Sequence, residues 1–208
     1  MSTSVRVALI PSTLLLVPDY AGQVDPVPDL RARSLAAVAW AVEGAERVIV
    51  VTATDRAPRH SKAPAGERVA RALLGERAPD EVVAVEWDAS PQRCRDLGAR
   101  LHAEAVARHT AVVVVGDGCA RRTEKAPGHL DERCFSYDEA WLRAVASGAL
   151  DGLRTLEPGL GADLLCHGRA PFQVLAGAAE TAVCEEVWSA DPFGVLYAVA
   201  RLRVDGER

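Results

Sequence analysis

The chain has 208 residues, 49% apolar and 25% charged, with 24 Lys and Arg set against 29 Asp and Glu. That length supports one well-cored domain, and the net charge of −5 removes the basic surface that general nucleic-acid binding requires. The five cysteines (Cys94, Cys119, Cys134, Cys166, Cys184) are scattered and form no C-x-x-C pair, which argues against a disulfide framework or zinc site and for reduced thiols in the cytoplasm.

Residues Met1 to Val7 run straight into a strand-like segment with no basic leader region. The apolar stretch VALIPSTLLLVP is short and broken by Pro11 and Pro18, so no membrane span is expected. Val5 to Ile10 reads as the first strand. Leu30, Leu35, Val38, Ala41 and Val42 carry helical spacing from Asp29 to the stop at Gly44. Val48 to Ala53 is a second buried strand, followed by a long loop through Thr54 to Gly66.

A short helix from Glu67 to Leu74 precedes a third strand at Val82 to Trp87. Ser90-Pro91 caps a helix reaching about His109. Val112 to Val115, apolar throughout, reads as a central strand. Ser136, with Glu139 three residues on, has the form of a capping box. Leu150 to Ala179 breaks into two or three short helices at Pro158, Gly161, Gly168 and Pro171. Val183 to Trp188 and Val195 to Val204, joined by Asp191-Pro192-Phe193-Gly194, form a hairpin by pattern. The expected fold is one α/β domain over residues 1–208. Its mixed, mostly parallel central sheet is flanked by helices and closed by an antiparallel C-terminal hairpin.

The candidate chemistry gathers where strands end. Asp117, between Gly116 and Gly118, can hold the turn by accepting backbone N–H bonds or can face the crevice where α/β proteins bind ligands. Arg121, Arg122 and Lys125 follow within five residues. They suit a carboxylate or phosphate, although Glu124, Asp131 and Glu132 offer internal partners. Asp55, Arg56, Arg59 and Lys62 border the same end of the sheet. Neither a P-loop nor a G-x-S-x-G elbow is present. Cys119 reads as a packed thiol. Core packing or an oligomer face accounts for the four tryptophans, and Phe172 reads as core or as lining the pocket.

The order of pieces resembles the LigB-like superfamily, the domain type of the class III extradiol dioxygenases. The likeness rests on Ile10-Pro11-Ser12 after strand one, on the Val112 strand entering Gly116-Asp117-Gly118, and on the Phe135-Ser136-Tyr137-Asp138 helix start. The segment GRAPFQVLAGAAE, followed by a hairpin ending FGVLYAVARL, completes it. The resemblance implies an Fe(II) held by two histidines and a glutamate, with a further histidine as acid/base. This chain departs at all four positions. Pro11, Ser12 and Thr13 stand at the first, and Thr52, Ala53, Thr54 and Asp55 at the second. Arg122 falls near the acid/base histidine, and Gly168 and Arg169 near the glutamate.

Three histidines, His60, His129 and His167, stand in loops or helix ends that can converge at the strand C-termini, and a displaced metal triad would draw on His60, His129 and a carboxylate, Asp55 or Asp117. Solvated loop histidines are the alternative. The expectation is therefore a divergent superfamily member whose usual iron site, and with it the dioxygenase chemistry, is lost. No cofactor is expected, and Fe(II) enters only with displaced ligands. Two further readings stand beside this one. The first is a non-catalytic binder of a small anionic metabolite or protein partner, using Ser12, Asp55, Asp117, Arg121, Arg122, Lys125 and His129. The second is an oxidoreductase with displaced ligands. The ligand is expected to be small and anionic or aromatic, with no nucleic acid and no membrane as partner. The superfamily likeness allows a homodimer.

Overall fold

The computed structural model describes residues 4–20, 22–55, 62–106 and 108–205. The strands are β1 (Ser4–Ile10), β2 (Arg47–Thr54), β3 (Glu81–Glu86), β4 (Thr110–Val115), β5 (Val183–Ala190) and β6 (Tyr197–Asp205). The helices are α1 (Pro28–Val42), α2 (Ala65–Leu74), α3 (Pro91–Val106), α4 (Arg133–Ser147), α5 (Pro158–Asp163) and α6 (Arg169–Ala178), with 3-10 turns at Leu14–Leu16, Pro18–Tyr20 and Leu150–Thr155. The six strands form one sheet in the order β3-β2-β4-β1-β6-β5. The first four are parallel, and β6 and β5 complete the sheet antiparallel, with Ser4 opposite Asp205.

β1, β2 and β4 are largely buried on both faces, as their continuous β-branched runs require, while β3 at the edge leaves Ala84 exposed. Along β2, Val48 and Val50 enter one core with Ala8, Ile10, Val113 and Val115, and α1 and α2 cover it. Ile49 and Val51 alternate into the other core with Leu9, Val112 and Val114, beneath α3, α4 and α6. Trp141 and Phe172, both fully buried, pack against each other there with centroids 4.7 Å apart. Phe172 is thus core.

α4 begins earlier than the capping box implies. It starts at Arg133, and Ser136 lies inside it, donating its Oγ–H to the Arg133 carbonyl at 3.1 Å. The turn before α4 is fixed instead by Asp131. Its carboxylate accepts the Arg133 N–H at 3.1 Å, and its carbonyl accepts the Cys134 N–H at 2.9 Å.

The chain leaves β1 and β2 toward the face of α1 and α2, whereas β4, lying between them, sends its chain toward the face of α4. Neighbouring parallel strands whose connections depart on opposite faces leave a crevice beyond their C-terminal ends. α6 is held close to that edge. A Cβ at Gly116 would stand 2.6 Å from the Gly168 Cα, and one at Gly168 would stand 2.4 Å from the Asp117 carbonyl oxygen. Only glycine permits the backbone of α6 to touch the end of β4 this closely. No described helix is long and apolar enough to cross a membrane.

Candidate functional site: a crevice at the strand ends

The crevice has a volume of about 390 Å³, and its walls come from five places in the chain. Ser12 follows β1, and Thr52, Thr54 and Asp55 come from β2 and the residue after it. Lys62, Ala65, Gly66 and Arg68 lead into α2, and Trp87 and His167 close the remaining side. The start of α2 lies directly against the end of β2, because a Cβ at Gly66 would meet the Thr52 Oγ1 at 2.1 Å. A larger residue there would push α2 away and widen the crevice.

Ser12 and Asp117 are joined across the β1–β4 boundary. The Ser12 N–H donates to one Asp117 oxygen at 2.8 Å, and its Oγ–H donates to the other at 2.6 Å. Burial pushes the Asp117 carboxyl up to about 6, and the two Ser12 bonds restrain that rise. Asp117 stands behind Ser12. It fastens the two strand ends together, while Ser12 presents to the crevice.

His167 stacks on Trp87 at a centroid distance of 5.3 Å. Desolvation lowers its pKa from the ordinary 6.5, a trend the Asp55 carboxylate partly opposes. The residue as a whole is exposed, so the desolvation belongs to the ring face against Trp87 and the rest of the imidazole stays accessible. A neutral imidazole at pH 7 can both donate and accept a hydrogen bond. Arg68 lies over the Tyr20 ring at 5.1 Å and donates to the Tyr20 hydroxyl, which fixes its position on the rim.

The cations after the Gly116-Asp117-Gly118 turn lie elsewhere. The chain from Gly118 onward runs along the β5–β6 hairpin: the Gly118 N–H bonds the Leu196 carbonyl at 2.8 Å, and the Arg122 N–H bonds the Gly194 carbonyl at 3.0 Å. Arg122 pairs with Asp138 and Asp191, each at 2.8 Å, and lies over Phe135 at 4.8 Å, lining a separate groove between α4 and β5. Neither acid is among the three nearest in sequence. Arg121 donates to the Gly128 carbonyl, and Lys125 is exposed beside Pro192 and Phe193. His129 is exposed with a positive φ of 59°.

Of the seven candidate residues, then, the structure brings Ser12 and Asp55 onto one crevice, with Asp117 bonded to Ser12. It places Arg121, Arg122, Lys125 and His129 outside that crevice. His60, Arg56 and Arg59 lie outside the described residues.

Of the other wall residues, sequence reasoning passes over Arg68, reads Trp87 as core or oligomer face, names Thr52 only as a departure from the family pattern, and has His167 as a loop histidine able to converge on the strand ends. Trp87 gives a usable signal, since it ends a strand at the same level as Thr54 and Asp55. Arg169, which with Gly168 stands where the resemblance would put a glutamate, is 1% exposed and donates to the carbonyls of Trp87 and Ala89 at 2.7 Å and to Gln173 at 2.9 Å. That guanidinium braces α6 against the end of β3.

Among the described residues, the donors on the crevice wall fall one imidazole short of two histidines and a carboxylate. They offer one imidazole, His167, and one carboxylate, Asp55, with Lys62 and Arg68 on the same wall. A scan against family models and a search of curated proteins find no match to the chain.

Proposed function

We propose that the chain is a divergent, cytoplasmic relative of the class III extradiol ring-cleavage dioxygenases, of LigB-like type, whose strand-end crevice receives a small organic anion. The observation carrying this reading is the joint lining of one crevice by Lys62, Arg68, Ser12, Asp55 and His167, beside the Ser12–Asp117 clasp. Lys62 and Arg68 supply charge-assisted donors for a carboxylate or phosphate. Asp55 asks for a donor on the same ligand, so a hydroxy or amino acid satisfies both ends of the site. Trp87 and His167 add a flat surface. The volume lies in the lower part of the range of about 300–1,000 Å³ usual for small-molecule sites, which sets the ligand's size.

The test is calorimetry of the full chain against inorganic phosphate, a hydroxy di-acid and an aromatic carboxylate. Binding of one of them, weakened about tenfold or more by Lys62→Ala or Arg68→Ala, supports the reading. Unchanged affinity in both variants refutes it.

A second reading, an oxidoreductase with displaced ligands, draws on Asp55 and His167 sharing the crevice. It requires stoichiometric Fe(II) and oxygen uptake on a catechol, both lost in His167→Ala. That result would replace the first reading.

A further inference from the structure

Away from the crevice wall, the chain just after β4 and the chain just before α6 run side by side in opposite directions. The Ala120 N–H bonds the Leu164 carbonyl at 3.1 Å, and the Gly168 N–H bonds the Asp117 carbonyl at 3.0 Å. Cys119 and Cys166 face each other between these two bonds, with Leu165 in a left-handed conformation (φ 55°) taking up the extra residue. The cysteines are 0% and 2% exposed, and their sulfurs lie within 4.8 Å of each other and of an Asp138 oxygen. Directly opposed residues on antiparallel segments have Cα atoms about 4.5–5.5 Å apart, within the span of about 4.4–6.8 Å that a disulfide bridges.

Three buried donors this close also raise the question of a metal, but Asp138 is already engaged. One of its oxygens accepts the Cys119 N–H and the Trp141 Nε1–H, both at 3.0 Å. The other accepts Arg122 at 2.8 Å. A cation drawing on this carboxylate would compete with the Arg122 guanidinium. The Cys166 Sγ–H donates to the Asp117 carbonyl at 3.7 Å, and its sulfur lies beside that of Cys119. A hydrogen bond with Cys166 and burial push the Cys119 thiol well above the ordinary range, so Cys119 rests as a protonated thiol.

We propose that Cys119 and Cys166 are a reversible dithiol–disulfide site that locks the turn after β4 to the start of α6. Oxidation breaks two S–H bonds and forms one S–S bond. The two electrons pass to hydrogen peroxide, whose O–O bond breaks to leave two waters, or to a low-molecular-weight disulfide, which leaves as two thiols. The cross-link lies one residue from His167 and two from Asp117, so it stiffens the backing of the crevice while leaving Ser12, Asp55, Lys62 and Arg68 untouched. It does not depend on what the crevice binds.

Burial slows direct attack, so the test begins from the unfolded reduced chain. The full-length protein is refolded across a series of glutathione redox buffers, and its free thiols are then counted in denaturant. The expected result is a fall from five thiols to three, a mass loss of two hydrogens, and a single linked peptide pair containing Cys119 and Cys166. Cys119→Ser and Cys166→Ser should each keep four thiols in the same buffers. A chain with Cys94, Cys134 and Cys184 all replaced by Ser should still lose both of its remaining thiols. Folded protein retaining five thiols throughout the series overturns the proposal, as does a linked pair involving any other cysteine. Stoichiometric Zn²⁺ binding that disappears in Cys119→Ser also overturns it, and would make the cluster a metal site.

Discussion

Replacing Asp117 by Asn separates the charge of this residue from its role as a clasp. The carboxyl rises from an ordinary 3.8 to about 6 in the folded chain, because burial outweighs the two bonds from Ser12. The native state therefore holds the proton more tightly than the unfolded state does. Stability falls as pH rises from about 4 to about 6, and above that the wild type carries the full cost. A rise of about two units at about 1.4 kcal/mol each makes that cost about 3 kcal/mol at pH 7, an upper figure because Asp117 is only partly shielded. Below the unfolded value the cost is gone.

Asparagine can still accept the Ser12 N–H and can donate to the Ser12 Oγ, but it never ionises. Asp117→Asn should therefore gain on the wild type progressively between pH 4 and 7, by up to about 3 kcal/mol. Rebuilding the Ser12 hydroxyl bond subtracts about 1 kcal/mol at every pH. Urea denaturation of both proteins at half-unit steps from pH 4 to 8 reads the slope. A difference that stays flat over that range refutes the placement of a buried, ionising Asp117.

Three further outcomes are expected. Asp138→Ala leaves the Cys119 N–H and the Trp141 indole without their acceptor and Arg122 with Asp191 alone, and should cost about 3–5 kcal/mol in urea denaturation. Gly168→Ala drives a methyl group into the Asp117 carbonyl and the Phe172 ring, and should cost about 1–3 kcal/mol by the same assay. Trp87→Ala removes the ring that desolvates His167, so an NMR titration should find the imidazole pKa moving up toward 6.5. Since the folded value in the wild type is the lower one, stability gained from the neutral ring is present above 6.5 and declines as pH falls below it.

The sheet was legible because its strands announce themselves. Val112 to Val115 is apolar without a break and proves to be buried on both faces between β1 and β2. The hairpin and the glycine stop after α1 follow from equally local rules, and Gly44 takes the positive φ of 71° such a stop uses. The site was legible only where it too was local. Ser12, Asp55 and Asp117 each follow directly on a parallel strand, so knowing the strands places them.

Arg121, Arg122 and Lys125 sit on a loop whose course is set by bonds to Gly194 and Leu196, more than 70 residues away, and no periodicity reports such a contact. Arg122 finds its acids 16 and 69 residues off. His167 was legible as a loop histidine able to reach the strand ends, but its place beside Trp87 was not, since the close approach of Gly116 and Gly168 and the Gly168–Asp117 bond that seat its segment are long-range. The capping box at Ser136 failed because Asp131 ends the loop first and starts the helix one turn sooner.

The position of β6 also has a bearing on biogenesis. This strand lies between β1 and β5, so β1 keeps one bare hydrogen-bonding edge during synthesis until residues 197–205 emerge. The other five strands must all be made before that edge is covered. During this interval the nascent chain is open to intermolecular strand pairing, and a chaperone that shields extended segments would find its substrate at β1.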